Sequence, residues 1–276
     1  MLAALIIVFR EVFEAGLIIG IVLAVTRTVP HRNLWIGGGV LGGVAGACLV
    51  AAFAGALSNL FAGMGQELFN AAILGIAVVM LTWHNVWMAR HGRELASEVR
   101  AIGQAVAEGS KSLFALAVVV GVAVLREGSE VALFLYGIVT SDGGSALSLA
   151  LGGVIGLVLG ALVCMLTYAG LVSIPMRSLF AVTTVLITLL AAGMAAQAVA
   201  FLEKANWLTA MSGVVWDTSW LLDESSIPGK ALHTLIGYTD QPTVMQLGVY
   251  VAVLAITFVL MRLSASQPQA AQPARS

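Results

Sequence analysis

Phe9-Arg10-Glu11-Val12-Phe13-Glu14 lies inside an apolar run that extends from Leu2 to Val25. A second segment, Leu125-Arg126-Glu127-Gly128-Ser129-Glu130, lies inside the run from Leu113 to Val139. Both read Arg-Glu-x-x-Glu. An ionisable side chain at the centre of a bilayer costs roughly 2.5–3.5 kcal/mol on insertion scales. Six such residues in two otherwise apolar runs must face protein or a water-filled path, and they mark a functional site by default. At about 100° per residue, Arg10, Glu11 and Glu14 share one arc of a helix, while Val12, Gly16 and Gly20 fall on the opposite side. The spacing of Gly16 and Gly20 lets another helix pack closely. If the two charged arcs face each other, four carboxylates meet two guanidiniums and leave two net negative charges. That balance suits a cation of charge two or more.

The surrounding composition agrees. Of 276 residues, 60% are hydrophobic and 10% charged, with a mean hydropathy of +1.00. These values exclude a soluble domain and imply an all-α polytopic membrane protein whose general partner is membrane lipid. A net charge of −1 says nothing useful about partners, and no nucleic-acid partner is expected. Cys48 and Cys164 fall in different apolar runs, which is no disulfide framework and no thiolate metal set. The N-terminal run lacks a basic leader and is broken by Arg10, so it is expected to be a retained first span.

Seven transmembrane helices fit, near 2–26, 34–57, 67–89, 113–140, 146–172, 178–202 and 244–262. Nine of the 13 Lys and Arg residues fall in the loops after spans one, three and five or near the C-terminus. Lys204 and Lys230 are the only ones in the remaining loops, and Arg10 and Arg126 lie within spans. The bias of basic residues towards the cytoplasm then places the N-terminus outside and the C-terminus in the cytoplasm.

The motif is not the only repeated feature. Gly38-Gly39-Val40-Leu41-Gly42 in span two matches Gly152-Gly153-Val154-Ile155-Gly156 in span five, and Leu68-Phe69 and Leu179-Phe180 open spans three and six. A unit of three spans used twice is inverted in its second copy, and such inverted repeats place a substrate site near the midplane between them. The expected architecture is therefore two inverted three-helix repeats plus a seventh helix. Residues 1–90 form the first repeat and 113–202 the second. Between them, 91–112 is a cytoplasmic amphipathic connector lying on the membrane, with Leu95, Val99, Ile102 and Val106 at helical spacing. Residues 203–243 form a periplasmic loop rich in acidic residues and tryptophans. Residues 244–263 form the seventh helix, and 264–276 a disordered cytoplasmic tail.

The motif chemistry leaves few options. If Arg10 merely pairs with Glu14, and Arg126 with Glu130, then Glu11 and Glu127 stay unpaired in a low dielectric at considerable cost. A proton relay needs one or two carboxylates, not four. Oxygen donors fit Fe(II), Fe(III), Mn or Mg better than Cu(I) or Zn. A proton-coupled transporter of another divalent cation such as manganese is an alternative. An intramembrane metal-dependent oxidase is another, although di-iron enzymes typically use Glu-x-x-His pairs, which both motifs lack. His84 lies near the cytoplasmic end of span three and reads as a satisfied interfacial residue. The outer acids Asp217, Asp223 and Glu224 read equally as a solvated face or as a capture site for cations.

Two Arg-Glu-x-x-Glu motifs in the first and fourth of seven spans resemble the oxidase-dependent iron permeases, and the resemblance covers essentially the whole chain. Trp216-Asp217-Thr218-Ser219-Trp220, the following Asp223-Glu224-Ser225-Ser226, and Gly237-Tyr238 are similar to the bacterial branch. The family motif commonly reads Arg-Glu-Gly-Leu-Glu. Here Val12-Phe13 and Gly128-Ser129 stand between the glutamates, while every Arg and Glu is kept. The resemblance implies a transporter rather than an enzyme, in the cytoplasmic (inner) membrane, with no permanently bound cofactor and the iron ion as transported substrate. It implies that Glu11, Glu14, Glu127 and Glu130 bind the metal in transit and that Arg10 and Arg126 shape the site. It further implies partners that change the redox state of iron, a periplasmic cupredoxin-like protein and a haem peroxidase.

Overall fold

The structure, a computed structural model, describes residues 1–60, 66–142, 146–170, 176–209 and 211–266. These residues form eight helices: α1 (Leu2–Val25), α2 (Arg32–Leu60), α3 (Gln66–Ala107), α4 (Phe114–Asp142), α5 (Ala146–Tyr168), α6 (Met176–Lys204), α7 (Ile227–Ile236) and α8 (Val244–Ser266). Extended pairing among the described residues is limited to one isolated bridge, Val214 to Thr243. Five helices are long and apolar enough to cross a membrane on those grounds alone, at Arg32–Ala56, Glu67–Met88, Ala146–Tyr168, Ala181–Lys204 and Val244–Leu263. With 24 and 29 residues, α1 and α4 exceed the roughly 20 that a bilayer requires, but each carries the three charges of its motif. The chain is a multi-pass membrane protein.

Helices α1 and α4 meet at the centre. Around them, α2 lies along α4, α5 lies along α1, and α3 packs on α6. Backbones approach closely at glycines. A Cβ on Gly156 would stand 2.6 Å from the Leu5 carbonyl oxygen and 3.0 Å from Phe9 N; one on Gly43 would stand 2.7 Å from the Gly121 carbonyl oxygen. In α5 the packing stripe is Gly152, Gly156 and Gly160, as the repeat suggests. In α2 it is Gly39, Gly43 and Gly46, whereas Gly38 and Gly42 face nothing within 4 Å. Of the aligned stripe Gly38, Gly42 and Gly46, only Gly46 is thus on the face that α4 covers. Gly16 meets Cys164, and Gly20 is open.

Two expected features differ. The connector is not a separate helix on the membrane surface, because α3 runs unbroken for 42 residues. Its apolar stripe is buried against protein: Val99 and Val106 sit among Ile18, Val22, Ile36, Leu116 and Val120 from α1, α2 and α4. The 203–243 segment also contains a helix, α7. Ser226 caps it by accepting a hydrogen bond from Gly229 N, Pro228 lies in its first turn, and Gly237 ends it at φ 71°. Next, Thr243 and Gln246 form a capping box at the start of α8, and Glu203 accepts hydrogen bonds from both side chains at 2.7 and 2.8 Å. This ties the end of α6 to α8, which packs on α6 and α3. The tail beyond Ser266 lies outside the described residues.

Steric closeness makes a sharp contrast between two glycines. Gly156→Ala is expected to lower stability by about 1–3 kcal/mol through overpacking, while Gly42→Ala leaves it unchanged. Thermal unfolding of both variants in detergent checks this.

Candidate ion site

Each motif divides its two carboxylates in the same way. Arg10 Nε lies 2.8 Å from Glu14 Oε1, one helical turn on, and its Nη1 lies 3.7 Å from Glu11 Oε1. Arg126 Nε lies 3.2 Å from Glu130 Oε1 and 3.8 Å from Glu127 Oε1. The closer ion pair is therefore with the second glutamate in both copies. Glu11 and Glu127 are left to face each other across the α1–α4 contact, each 3% exposed or less. Among the described residues, neither Glu11 oxygen receives a hydrogen bond from a protein donor.

The sequence reading brings four glutamates together. In the structure, one ligand atom each from Glu11, Glu127, Glu130 and His84 lie within 4.8 Å of one another. Glu14 stands just behind this group, held by Arg10 and 3.6 Å from His84 Nε2. His84 is not an interfacial residue: it is 3% exposed, and its Nδ1 contacts Glu130 Oε2. The signal that marks it is its depth. Packing of α3 on α1 and α4 sets His84 against Glu14 and Glu130, whereas its place just before the span ends at Met88 suggests the membrane edge.

The two arginines have different surroundings. Arg10 is buried, whereas the Arg126 side chain is 32% exposed and its guanidinium lies over the Trp87 ring at 4.0 Å. A cation–π contact of that kind contributes about 0.5–2 kcal/mol. A cavity of about 960 Å³ between α1, α2, α4 and α5 reaches the site, and Glu11 and Glu127 are its only charged lining residues among those described. The remaining walls are apolar, so charges there interact more strongly than in water. Three carboxylates and an imidazole in such a place can hold a divalent transition metal.

The outer acids are not brought together as a metal set among the described residues. Asp217 accepts hydrogen bonds from the Ser219 hydroxyl and backbone N–H and from Gln241, and these hold its carboxyl below the usual value. Ser225 does the same for Asp223. Glu224 lies 3.2 Å from His233. Around them, Tyr238 donates to the Leu222 carbonyl at 2.8 Å and shares a hydrogen bond with Thr218 at 2.7 Å, which fixes the loop. Trp207, Trp216 and Trp220 are exposed.

Comparison with known proteins places this geometry in context. Residues 1–266 match the model of the iron permease FTR1 family. The chain is 31% identical over 264 residues to the ferrous iron permease EfeU of Yersinia pestis, covering 94% of this chain and 93% of that protein. It is 30% identical over 268 residues to the protein of that name from Escherichia coli O6:H1, covering 94% and 96%. The Shigella sonnei protein is 29% identical over 254 residues. No solved structure matches the chain.

The unequal partnering of the glutamates has a measurable consequence. Glu14→Gln leaves buried Arg10 with only its longer contact to Glu11 and is expected to cost up to about 3–5 kcal/mol. Glu11→Gln relieves repulsion with Glu127 and leaves the metal-free protein as stable or more so. Unfolding temperatures in detergent separate the two; equal losses would contradict the division of roles.

Proposed function

The chain belongs to the iron permease FTR1 family, and from that premise we propose that it moves ferrous iron inward across the cytoplasmic membrane through a site where two Arg-Glu-x-x-Glu motifs meet. It is a transporter rather than an enzyme, and iron is its cargo. The observation that carries the site assignment is the convergence of Glu11 and Glu127 from two different helices into one buried group of ligands. Glu130 completes the oxygen set. Glu14 is the nearest further carboxylate and takes the ion as it moves on. Arg10 and Arg126 neutralise part of the charge, so that iron enters a site attractive enough to fill and weak enough to empty.

The proposed frame has seven spans, with α1–α3 and α4–α6 as inverted repeats and α8 outside them. Support comes from the packing: α2 on α4 is the counterpart of α5 on α1, while α1–α4 and α3–α6 each pair equivalent helices. An axis relating the halves passes between α1 and α4, where the motifs lie. On the proposed orientation, the 203–243 segment is periplasmic. Asp217, Asp223 and Glu224 act there by charge, raising the local concentration of cations, because their oxygens are engaged in turns or with His233. The redox change of iron is assigned to a periplasmic cupredoxin-like protein and a haem peroxidase acting before entry.

Two expected outcomes follow from this reading. Uptake of radioactive Fe(II) into proteoliposomes falls to background for the Glu11→Gln, Glu127→Gln double variant while its membrane abundance stays normal; normal uptake by a well-inserted double variant contradicts the site. In a background with Cys48 and Cys164 replaced by alanine, a cysteine at exposed Ser225 reacts with an impermeant thiol reagent from the periplasmic side of intact cells. Labelling only after membrane disruption reverses the orientation.

A further inference from the structure

We infer that His84 is the fourth ligand of the ion site, that it binds through an imidazole nitrogen, and that it sets the preference of the site for ferrous iron over magnesium and manganese. This inference rests on the ion site proposed above. His84 reaches the site from α3, a helix outside both motifs, and is 3% exposed. Its two ring nitrogens face two different carboxylates: Nδ1 contacts Glu130 Oε2, and Nε2 lies 3.6 Å from Glu14 Oε2. Neither nitrogen makes a hydrogen bond of good geometry among the described residues. A metal-bound imidazole ordinarily donates its other ring N–H to a carboxylate, which fixes its orientation. His84 has a carboxylate on each side for this purpose. Its ligand atom and those of Glu11, Glu127 and Glu130 lie within 4.8 Å of one another. Opposed ligands of a small divalent ion stand about 4.2 Å apart, so the group is on the scale that one ion can bridge.

The internal repeat shows that the histidine is an addition to the scaffold. Aligning Leu68-Phe69 with Leu179-Phe180 sets Ala195 opposite His84 and Ala198 opposite Trp87. The half containing α6 therefore builds the same helix without a donor. The neighbouring residues of α3 hold His84 in place. Asn85 donates to Thr188 Oγ1 of α6 at 3.4 Å, and Trp87 underlies the Arg126 guanidinium. One nitrogen among three carboxylates changes the selectivity. Carboxylate and water ligands suit Mg, Ca and Mn, whereas imidazole suits Fe, Ni, Cu and Zn. The contrary account makes His84 a cationic bridge between Glu14 and Glu130 that never touches metal.

Pulsed electron paramagnetic resonance on the purified full chain loaded with Mn(II) distinguishes the two. Bound Mn(II) is expected to show ¹⁴N modulation from a directly coordinated imidazole. His84→Asn retains bound Mn(II) but loses the modulation, and excess Mg(II) then inhibits Fe(II) uptake at a concentration roughly tenfold lower or less. Wild-type protein that binds Mn(II) without ¹⁴N modulation overturns the assignment of His84 while sparing the carboxylate site. Unchanged Mg(II) inhibition in a well-inserted His84→Asn variant overturns the claim about selectivity. Wild-type protein that binds neither Mn(II) nor Fe(II) overturns the ion site as well.

Discussion

Enclosing the Arg10–Glu14 pair, and in part the Arg126–Glu130 pair, within otherwise apolar helices of a membrane protein governs the rest of the structure. Removing ions from water costs several kcal/mol each, and close pairing recovers that cost only with good geometry. Such helices cannot face lipid on their charged side. Helices α1 and α4 therefore turn their charged arcs towards each other at the centre of the bundle. Glycines let α5 and α2 come within backbone contact of their other faces. The arrangement is compact where the charges lie, and α3 and α6 close the remaining side.

On the proposed reading, pairing within each motif also explains where the ion binds. Each arginine is nearest the glutamate one turn away, which leaves the adjacent glutamate, Glu11 or Glu127, facing its counterpart from the other motif. Two buried carboxylates in opposition repel each other unless a cation lies between them. On the proposed reading, the same opposition that costs stability attracts the ion, a trade of stability against activity common at binding sites.

Much of this was legible in the sequence because the signals were local or repeated. Charges within apolar runs identified α1 and α4, and the glycine spacing identified the tight α5 packing. In α2 the aligned Gly38 and Gly42 missed the packing face by one residue while Gly46 lay on it, since periodicity gives a spacing but does not say which face a distant helix will cover. His84 was misread for a related reason: it stands four residues before the apolar stretch ends at Met88, and that position does not say that packing of α3 on α1 and α4 sets it against Glu14 and Glu130. The surface connector was misread because an apolar stripe looks the same whether it meets lipid or the ends of α1, α2 and α4. Helix α7 was missed although Ser226, Pro228 and Gly237 are standard start and stop signals, because its ten residues fall in a segment otherwise read as an acidic loop.

The most direct test of the central claim is to locate the ion. Anomalous scattering from crystals of the purified permease loaded with Fe(II), collected on both sides of the iron absorption edge, should reveal a single intramembrane peak. The account predicts that peak between α1 and α4, within about 2.0–2.3 Å of carboxylate oxygens of Glu11 and Glu127. Iron bound elsewhere in the membrane, with Glu11 and Glu127 in contact only with protein, would contradict it.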